Sequence, residues 1–394
     1  MRKLRFKTQV WLVRRARKRL SRRTARNRLR RGLVAVAARV QKSLIKVRVD
    51  IEGRVYRGWA REKRPMPENF CLEDNYEESA KCIGLIRDRL AASSAAESKR
   101  KRRTRTTLPI IPGYNDFTVM KHCSPSAALV LASEFDRARA LNGWSIPLID
   151  VHRWEPEVVA LLDEIGFFEL LEIPRPDHKV PQKDIQILQF QTGRLVAREE
   201  VASITGRLSS LLISDTPKLG NDEDFLGTIM QLLGAIQEAT ENSCHHAYRN
   251  TTVPDQNKRW WATGAINTKT RHLNLSVYDQ GRSIPDTLPE WDKYPFVQSR
   301  LARFRRFIGE ILGEDELDAV KIRLAMDAPR SSTLQSYRGK GFPLFKRVVE
   351  QSRDAKLRIL SRRGEFIYEK GRHPRAYSLN TPLNGTLVEW DLWV

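Results

Sequence analysis

Apolar positions recur at helical spacing from Gln231 to Asn250, where Leu232, Leu233, Ile236, Ala239 and Ala247 share one side and no proline interrupts the run. The period changes to two in LNLSVYD, where Leu273, Leu275 and Val277 alternate with polar residues and predict a strand that delivers Asp279 at its end. Upstream, EGRVYRGW reads as a short strand pair, NYEESAKCIGLIRDRL as a helix, IPLIDV and IQILQFQ as strands, and REEVASITGRLSSLL as a further helix. Ser124 and Ser126 flank Pro125 ahead of AALVLASEFDRARAL, a capped helix start. EPEVVALLDEIGFFELL predicts a helix that ends at Gly166.

This alternation predicts an α/β (α+β) chain in four parts. Residues 1–50 read as a basic helical arm, 51–107 as a mixed segment ending in a charged linker, 108–175 as a small α/β domain, and 184–394 as a larger α/β domain. Prolines 174, 176 and 181 mark the last connection. No repeat at solenoid-like periods is present.

Charge sharpens the picture of the first two parts. The net charge is +23, yet Met1 to Asp50 holds 19 Lys or Arg against one acid, and six more cations lie between Lys99 and Arg105, which leaves the remainder nearly neutral. Ala16, Leu20, Leu29, Leu33, Val36, Val40 and Leu44 fall near one helical face, so Arg14, Arg15, Arg17, Lys18, Arg19, Arg22 and Arg23 are the cations expected to meet an anionic partner. Nucleic acid is favoured over an anionic membrane surface because Trp11 is the one bulky interfacial aromatic there. No apolar run approaches the roughly 18 residues of a membrane span, and there is no secretory leader. The four cysteines show no CxxC or zinc-like spacing, which points to a reduced, cytoplasmic compartment. Cys244 reads as a small buried packing residue.

Candidate chemistry concentrates in the larger domain. Glu238, Asn242 and His246 are four apart and share one helix face, so a carboxylate, an amide oxygen and an imidazole line up in a row. Gly281, two residues beyond Asp279, has no Cβ to block a planar base, and Gly339 and Gly341 allow backbone amides to turn toward phosphate oxygens ahead of the helix PLFKRVVEQ. Lys340 or Arg338 can add charge-assisted contacts.

In this order, the residues resemble the GHKL (Bergerat-fold) ATP-binding module shared by DNA gyrase, heat-shock chaperones, sensor histidine kinases and MutL. Glu238, Asn242 and His246-Ala247 are similar to its N box, and Asp279-x-Gly281-xx-Ile284-Pro285 to its first glycine box. Gly339-x-Gly341-xx-Leu344 is similar to its second glycine box and Gly385-Thr386 to its closing box. The resemblance covers about the last half of the chain and implies a two-layer α/β sandwich that binds ATP and Mg²⁺. Asn242 would then help hold Mg²⁺, Glu238 would orient or deprotonate the attacking water, and Asp279, with Thr386 beside it, would accept a hydrogen bond from the adenine amino group. His246 is read as a core or supporting histidine, and the Arg-rich segment from Asp286 to Tyr337 occupies the place of the lid. Residues 108–175 loosely resemble the STAS modules of anti-anti-sigma factors, a match of pattern without a chemical motif.

The sequence departs from the family pattern at Ser283, where a second glycine is common, and at Pro343, which lacks an amide hydrogen for phosphate. Both departures bear on turnover more than on binding. Three functions remain open: a Mg-ATP-binding regulatory protein, with or without slow hydrolysis, whose nucleotide state controls a protein partner; an anti-sigma-type serine/threonine kinase; and a non-enzymatic nucleic-acid-binding protein with an inert ATP-like fold. Dimerisation is left open.

Overall fold

The computed structural model describes residues 44–51, 54–97, 110–111, 113–142, 147–176, 185–194, 223–267, 269–308, 313, 316–328 and 341–393. In chain order these form β1 (Ile45–Ile51), β2 (Arg54–Ala60), β3 (Lys63–Pro65), β4 (Asn69–Phe70), α1 (Tyr76–Glu97), β5 (Ile110–Ile111), β6 (Tyr114–Asp116), β7 (His122–Cys123), α2 (Pro125–Asn142) and β8 (Leu148–Ile149). They continue with α3 (Pro156–Glu164), α4 (Phe167–Leu170), β9 (Ile185–Arg194), α5 (Glu223–Asn242), β10 (Arg259–Asn267), β11 (His272–Asp279), α6 (Ile284–Thr287), α7 (Tyr294–Ile308), α8 (Asp318–Met326), α9 (Gly341–Gln351), β12 (Asp354–Glu369) and β13 (Arg375–Trp393). The chain is thus a mixture of helix and sheet.

A five-stranded sheet in the order β12-β13-β11-β10-β9, antiparallel throughout, forms the centre. Its strands are apolar on both faces. Leu273, Leu275 and Val277 of β11 face one way, with Trp260, Ile359 and Trp390, and pack under Ile229, Leu232, Leu233, Ile236 and Ala239 of α5 and Phe345, Val348 and Val349 of α9. Those α5 positions are the buried stripe of a regular amphipathic helix. Trp261 and Tyr278 face the other way, with Leu360, Leu383 and Leu387, and are covered by α1, α2, α3 and α4. Fully burying a large apolar side chain contributes about 1.5–3 kcal/mol, and Trp260, Trp261, Trp390 and Tyr278 are all under 2% exposed.

The second face explains several departures from the sequence expectations. Residues 108–175 share one continuous core with the large sheet. Among the described residues their strands are only two or three long and make no sheet of their own; β5 and β8 flank the β1–β2 hairpin, in the order β5-β2-β1-β8. The expected strand IPLIDV shortens to Leu148–Ile149. The basic arm was expected to stay helical to residue 50, but Ile45, Val47 and Val49 alternate with Lys46 and Arg48, so this stretch pairs as β1. The helix expected after β9, and Arg14, Arg15, Arg17, Lys18, Arg19, Arg22 and Arg23 of the arm, lie outside the described residues.

Buried polar pairs fix the covering helices to the sheet. Arg87 of α1 donates through Nε to both oxygens of Glu134 on α2, at 2.9 and 3.0 Å, and reaches the Tyr278 hydroxyl at 3.4 Å. Asp136 accepts from Arg259 at 2.8 Å and from the Trp261 indole at 2.9 Å. On β12, Arg358 binds Glu365, Glu389 and the Leu72 carbonyl. Removing one partner of a buried pair strands the other charge. Glu134→Ala is therefore expected to cost about 3–5 kcal/mol in urea denaturation, whereas Glu73→Ala, at the exposed end of the Lys356 pair, costs less than about 1 kcal/mol.

Candidate functional site

The end of α5 is where the structure becomes irregular. The α-helix, which starts before the expected Gln231, stops at Asn242 and continues as a π-turn from Ser243 to Ala247. Such turns widen a helix by one residue and often sit at functional sites. Ser243, inside the turn, lies 3.1 Å from the Ala239 carbonyl and 3.1 Å from Oδ2 of Asp279.

Asp279 ends β11, directly opposite Thr386 on β13. Its other oxygen accepts from the Gly281 amide at 2.9 Å. The carboxyl is 6% exposed, and burial pushes its pKa up to about 7 against the lowering effect of its hydrogen bonds to Gly281, Ser243 and Thr386. The Ser243 hydroxyl has one proton for two acceptors. A protonated Asp279 that donates to Ser243, which in turn donates to Ala239, satisfies all three groups.

Two glycines permit this packing. A Cβ on Gly281 would stand 2.4 Å from the Ala247 carbonyl, and the next amide, Arg282, donates to that same oxygen at 2.6 Å. The missing Cβ thus admits the end of α5; the expectation that it makes room for a planar base is corrected accordingly. Gly385 has φ +80° and its Cβ would clash with the Asp279 carbonyl, so both a left-handed backbone and close approach require glycine there. Beside it, Thr386 and Ser361 share a hydrogen bond of 2.9 Å, and Ser361 accepts from the Ile284 amide at 2.8 Å.

Ser243, Asp279, Ile284 and Thr386 line one open cleft. Glu238, Asn242 and His246 form the α5 wall, and Asp279, Thr386, Val277 and Val388 form the floor from the sheet. Ile284, Thr287, Leu288, Trp291 and Lys293 form the opposite wall with Phe342 and Pro343 of α9. That wall is held by a satellite core of Leu288, Val297 and Ala325. The Trp291 and Phe342 rings meet edge to face at 5.9 Å. Ser283 caps α6 by accepting from the Asp286 amide at 3.3 Å, and Asp286 also receives Arg362 at 2.8 Å, which in turn binds the fully buried Asp318 at 2.7 Å. In the segment expected as a lid, where described, α6 and α8 are tied to β12 by these bonds and α7 packs on the satellite core through Val297.

Of the residues expected to form a site, Glu238, Asn242, Asp279, Ile284 and Thr386 are brought together. Gly281 lies just behind the floor. Gly341 opens α9, and Leu344 packs against the α5 core instead of lining the cleft. Gly339 and Lys340 lie outside the described residues. His246, read as a core or supporting histidine, sits in the π-turn, is exposed and lines the cleft. Cys244 is half-buried against the same core, which pushes its thiol up to about 11. Ser243, Trp291, Lys293 and Phe342 had no motif to announce them. Lys293 stands 5.3 Å from the centre of the Trp291 ring and burial lowers its pKa.

Among the described residues no group of three or more His, Cys, Asp or Glu is placed to hold a metal ion, and no helix is long and apolar enough to cross a membrane. Comparison with protein-family models, curated proteins and solved structures finds no match to the chain.

The raised pKa has a consequence for stability. Unfolded, Asp279 ionises near pH 4; folded, it ionises near pH 7. The folded state therefore holds the extra proton in between, and stability falls as pH rises from about 4 to about 7, then levels. Asp279→Asn, a mimic of the protonated form, removes this loss: relative to wild type its stability rises across that window, read from urea midpoints at a series of pH values. A constant difference between the two proteins would contradict the shift.

Proposed function

We propose that the cleft binds Mg-ATP in the manner of GHKL domains, and that the protein is a nucleotide-dependent regulator, with slow hydrolysis, acting on a protein partner. The observation that carries this reading is the convergence of Glu238 and Asn242 on one helix with Asp279 and Thr386 on two neighbouring strands, in one cleft. The layer of α5, α8 and α9 on one face of the antiparallel sheet supports it. The added layer of α1 to α4 on the second face makes the whole a three-layer structure.

The donor set suits the ligand. An adenine ring fits among Val277, Ile284 and Val388, and its amino group needs an acceptor at the floor, which Asp279 supplies. The ionised carboxylate is the stronger acceptor, so affinity improves as pH rises through about 7, where Asp279 ionises. Mg²⁺ takes oxygen ligands and keeps several waters, so the amide oxygen of Asn242 with phosphate oxygens is a sufficient set. When bound, the ion neutralises phosphate charge. Glu238, one helical turn away, orients a water or accepts its proton. Lys293 adds positive charge on the opposite wall, and Pro343, without an amide hydrogen, removes one potential phosphate donor from the first turn of α9.

Two variants separate binding from turnover. Asp279→Asn is expected to weaken Mg-ATP binding at least tenfold, about 1.4 kcal/mol, in calorimetry. Glu238→Ala is expected to keep binding within a few-fold and to lower phosphate release by about 10²–10⁴-fold. Unchanged binding in the first, or unchanged release in the second, rejects the role given to that residue. Transfer of labelled phosphate to a protein hydroxyl, in place of release to water, would assign the same residues to a kinase.

A further inference from the structure

We propose that the outward face of the β1–β2 hairpin is a binding platform for single-stranded nucleic acid, with Trp59 stacking on a base and Lys46, Arg48 and Arg57 holding phosphates. The two strands pair antiparallel, with Lys46 opposite Trp59 and Arg48 opposite Arg57. Alternation sends Val47, Val49 and Ala60 inward, where they are buried with Tyr114 and Ile149. Lys46, Arg48 and Arg57 stand exposed on the other side, and Trp59 is half-buried among them. The Lys46 ammonium lies 5.5 Å from the centre of the Trp59 ring.

This arrangement is unfavourable for the protein alone. Like charges directly across an antiparallel pair destabilise it, and Arg48 and Arg57 occupy such a pair. Arg48 reaches Asp50 at 3.3 Å, while no described carboxylate pairs with Arg57. An anionic ligand lying along the face would neutralise both.

The sequence on either side of this small sheet is also strongly basic. Residues 1–43 hold 17 Lys or Arg and run directly into Leu44, ahead of β1. The six cations between Lys99 and Arg105 precede β5 by a few residues. Ile45 pairs with Ala60, and Ile110 pairs with Trp59, so both of the most basic stretches join this small sheet at the Trp59 end.

A polyanion with planar bases fits better than the alternatives. Val47, Val49 and Ala60 of the hairpin point into the core, so a lipid surface would find little to insert beyond Trp59, Val55 and Tyr56. An acidic peptide would satisfy the cations without using the half-buried indole. Single strands use both: phosphates track the cations while bases stack on the aromatic ring.

The test uses the full chain with a fluorescein-labelled oligothymidylate of about 20 nucleotides, followed by polarisation over a range of salt. The wild type is expected to bind it more tightly than a duplex of the same length. Trp59→Ala should weaken binding about tenfold, and Trp59→Phe should keep most of it. Arg48→Gln with Arg57→Gln should reduce the slope of log affinity against log salt by about 1.4. Arg57→Gln alone should hold or raise the melting temperature while weakening binding, an opposition that a merely structural role would not give. Binding unchanged in Trp59→Ala and in the arginine variants would overturn the proposal, as would binding to anionic vesicles without binding to the oligonucleotide.

Discussion

The central sheet is apolar on both faces, and this constraint decides the rest of the architecture. One face receives α5, α8 and α9, and the other receives α1 to α4. Neither layer can be left off without exposing indole and phenol rings that are now fully buried. The segments before and after residue 180 are therefore one packing unit, although their compositions suggest separate domains. The polar contacts across the second face reach close to the cleft. Tyr278 and Gln280, on either side of Asp279, contact Arg87 of α1 and Ser133 of α2, the latter at 3.0 Å. The floor of the cleft is thus positioned by both layers at once.

At that floor, packing has been set against solvation. The close approach of the α5 terminus to the strand end needs glycine at 281 and 385, a π-turn at Ser243 to Ala247, and a carboxyl with almost no contact with water. Burial of Asp279 weakens its acidity enough to bring its ionisation near neutrality. A carboxyl in this state is costly to the fold and well suited to a ligand that offers it a hydrogen-bond donor. The proposed nucleotide reading makes use of that cost: a bound amino group would replace the donors that the protein supplies only in part.

Much of this was legible in the sequence because the governing patterns are local. Leu232, Leu233, Ile236 and Ala239 mark α5, and Leu273, Leu275 and Val277 mark β11, since burial on one side imposes a period of 3.6 or 2. The four-residue spacing of Glu238 and Asn242 was enough to put them on one face. What could not be read depends on contacts distant in sequence. Nothing local distinguishes an α1 or α2 that covers another segment's sheet from one that belongs to its own domain. The π-turn that carries His246 lies where α5 meets β11, through a contact between Ser243 and Asp279, 36 residues apart. Trp291, Lys293 and Phe342 enter the cleft through a satellite core that no motif records. The basic arm misled at its end because Lys46 and Arg48 continue its charge while the period has already changed to two.

The central claim is that this floor selects adenine. The most direct measurement is calorimetric titration of the 394-residue chain with Mg-ATP and, separately, with Mg-GTP at pH 8. The account predicts saturable binding of ATP and binding of GTP at least tenfold weaker, about 1.4 kcal/mol, because the guanine carbonyl would bring an acceptor to the Asp279 carboxylate. Equal binding of the two nucleotides, or binding of neither, would contradict it.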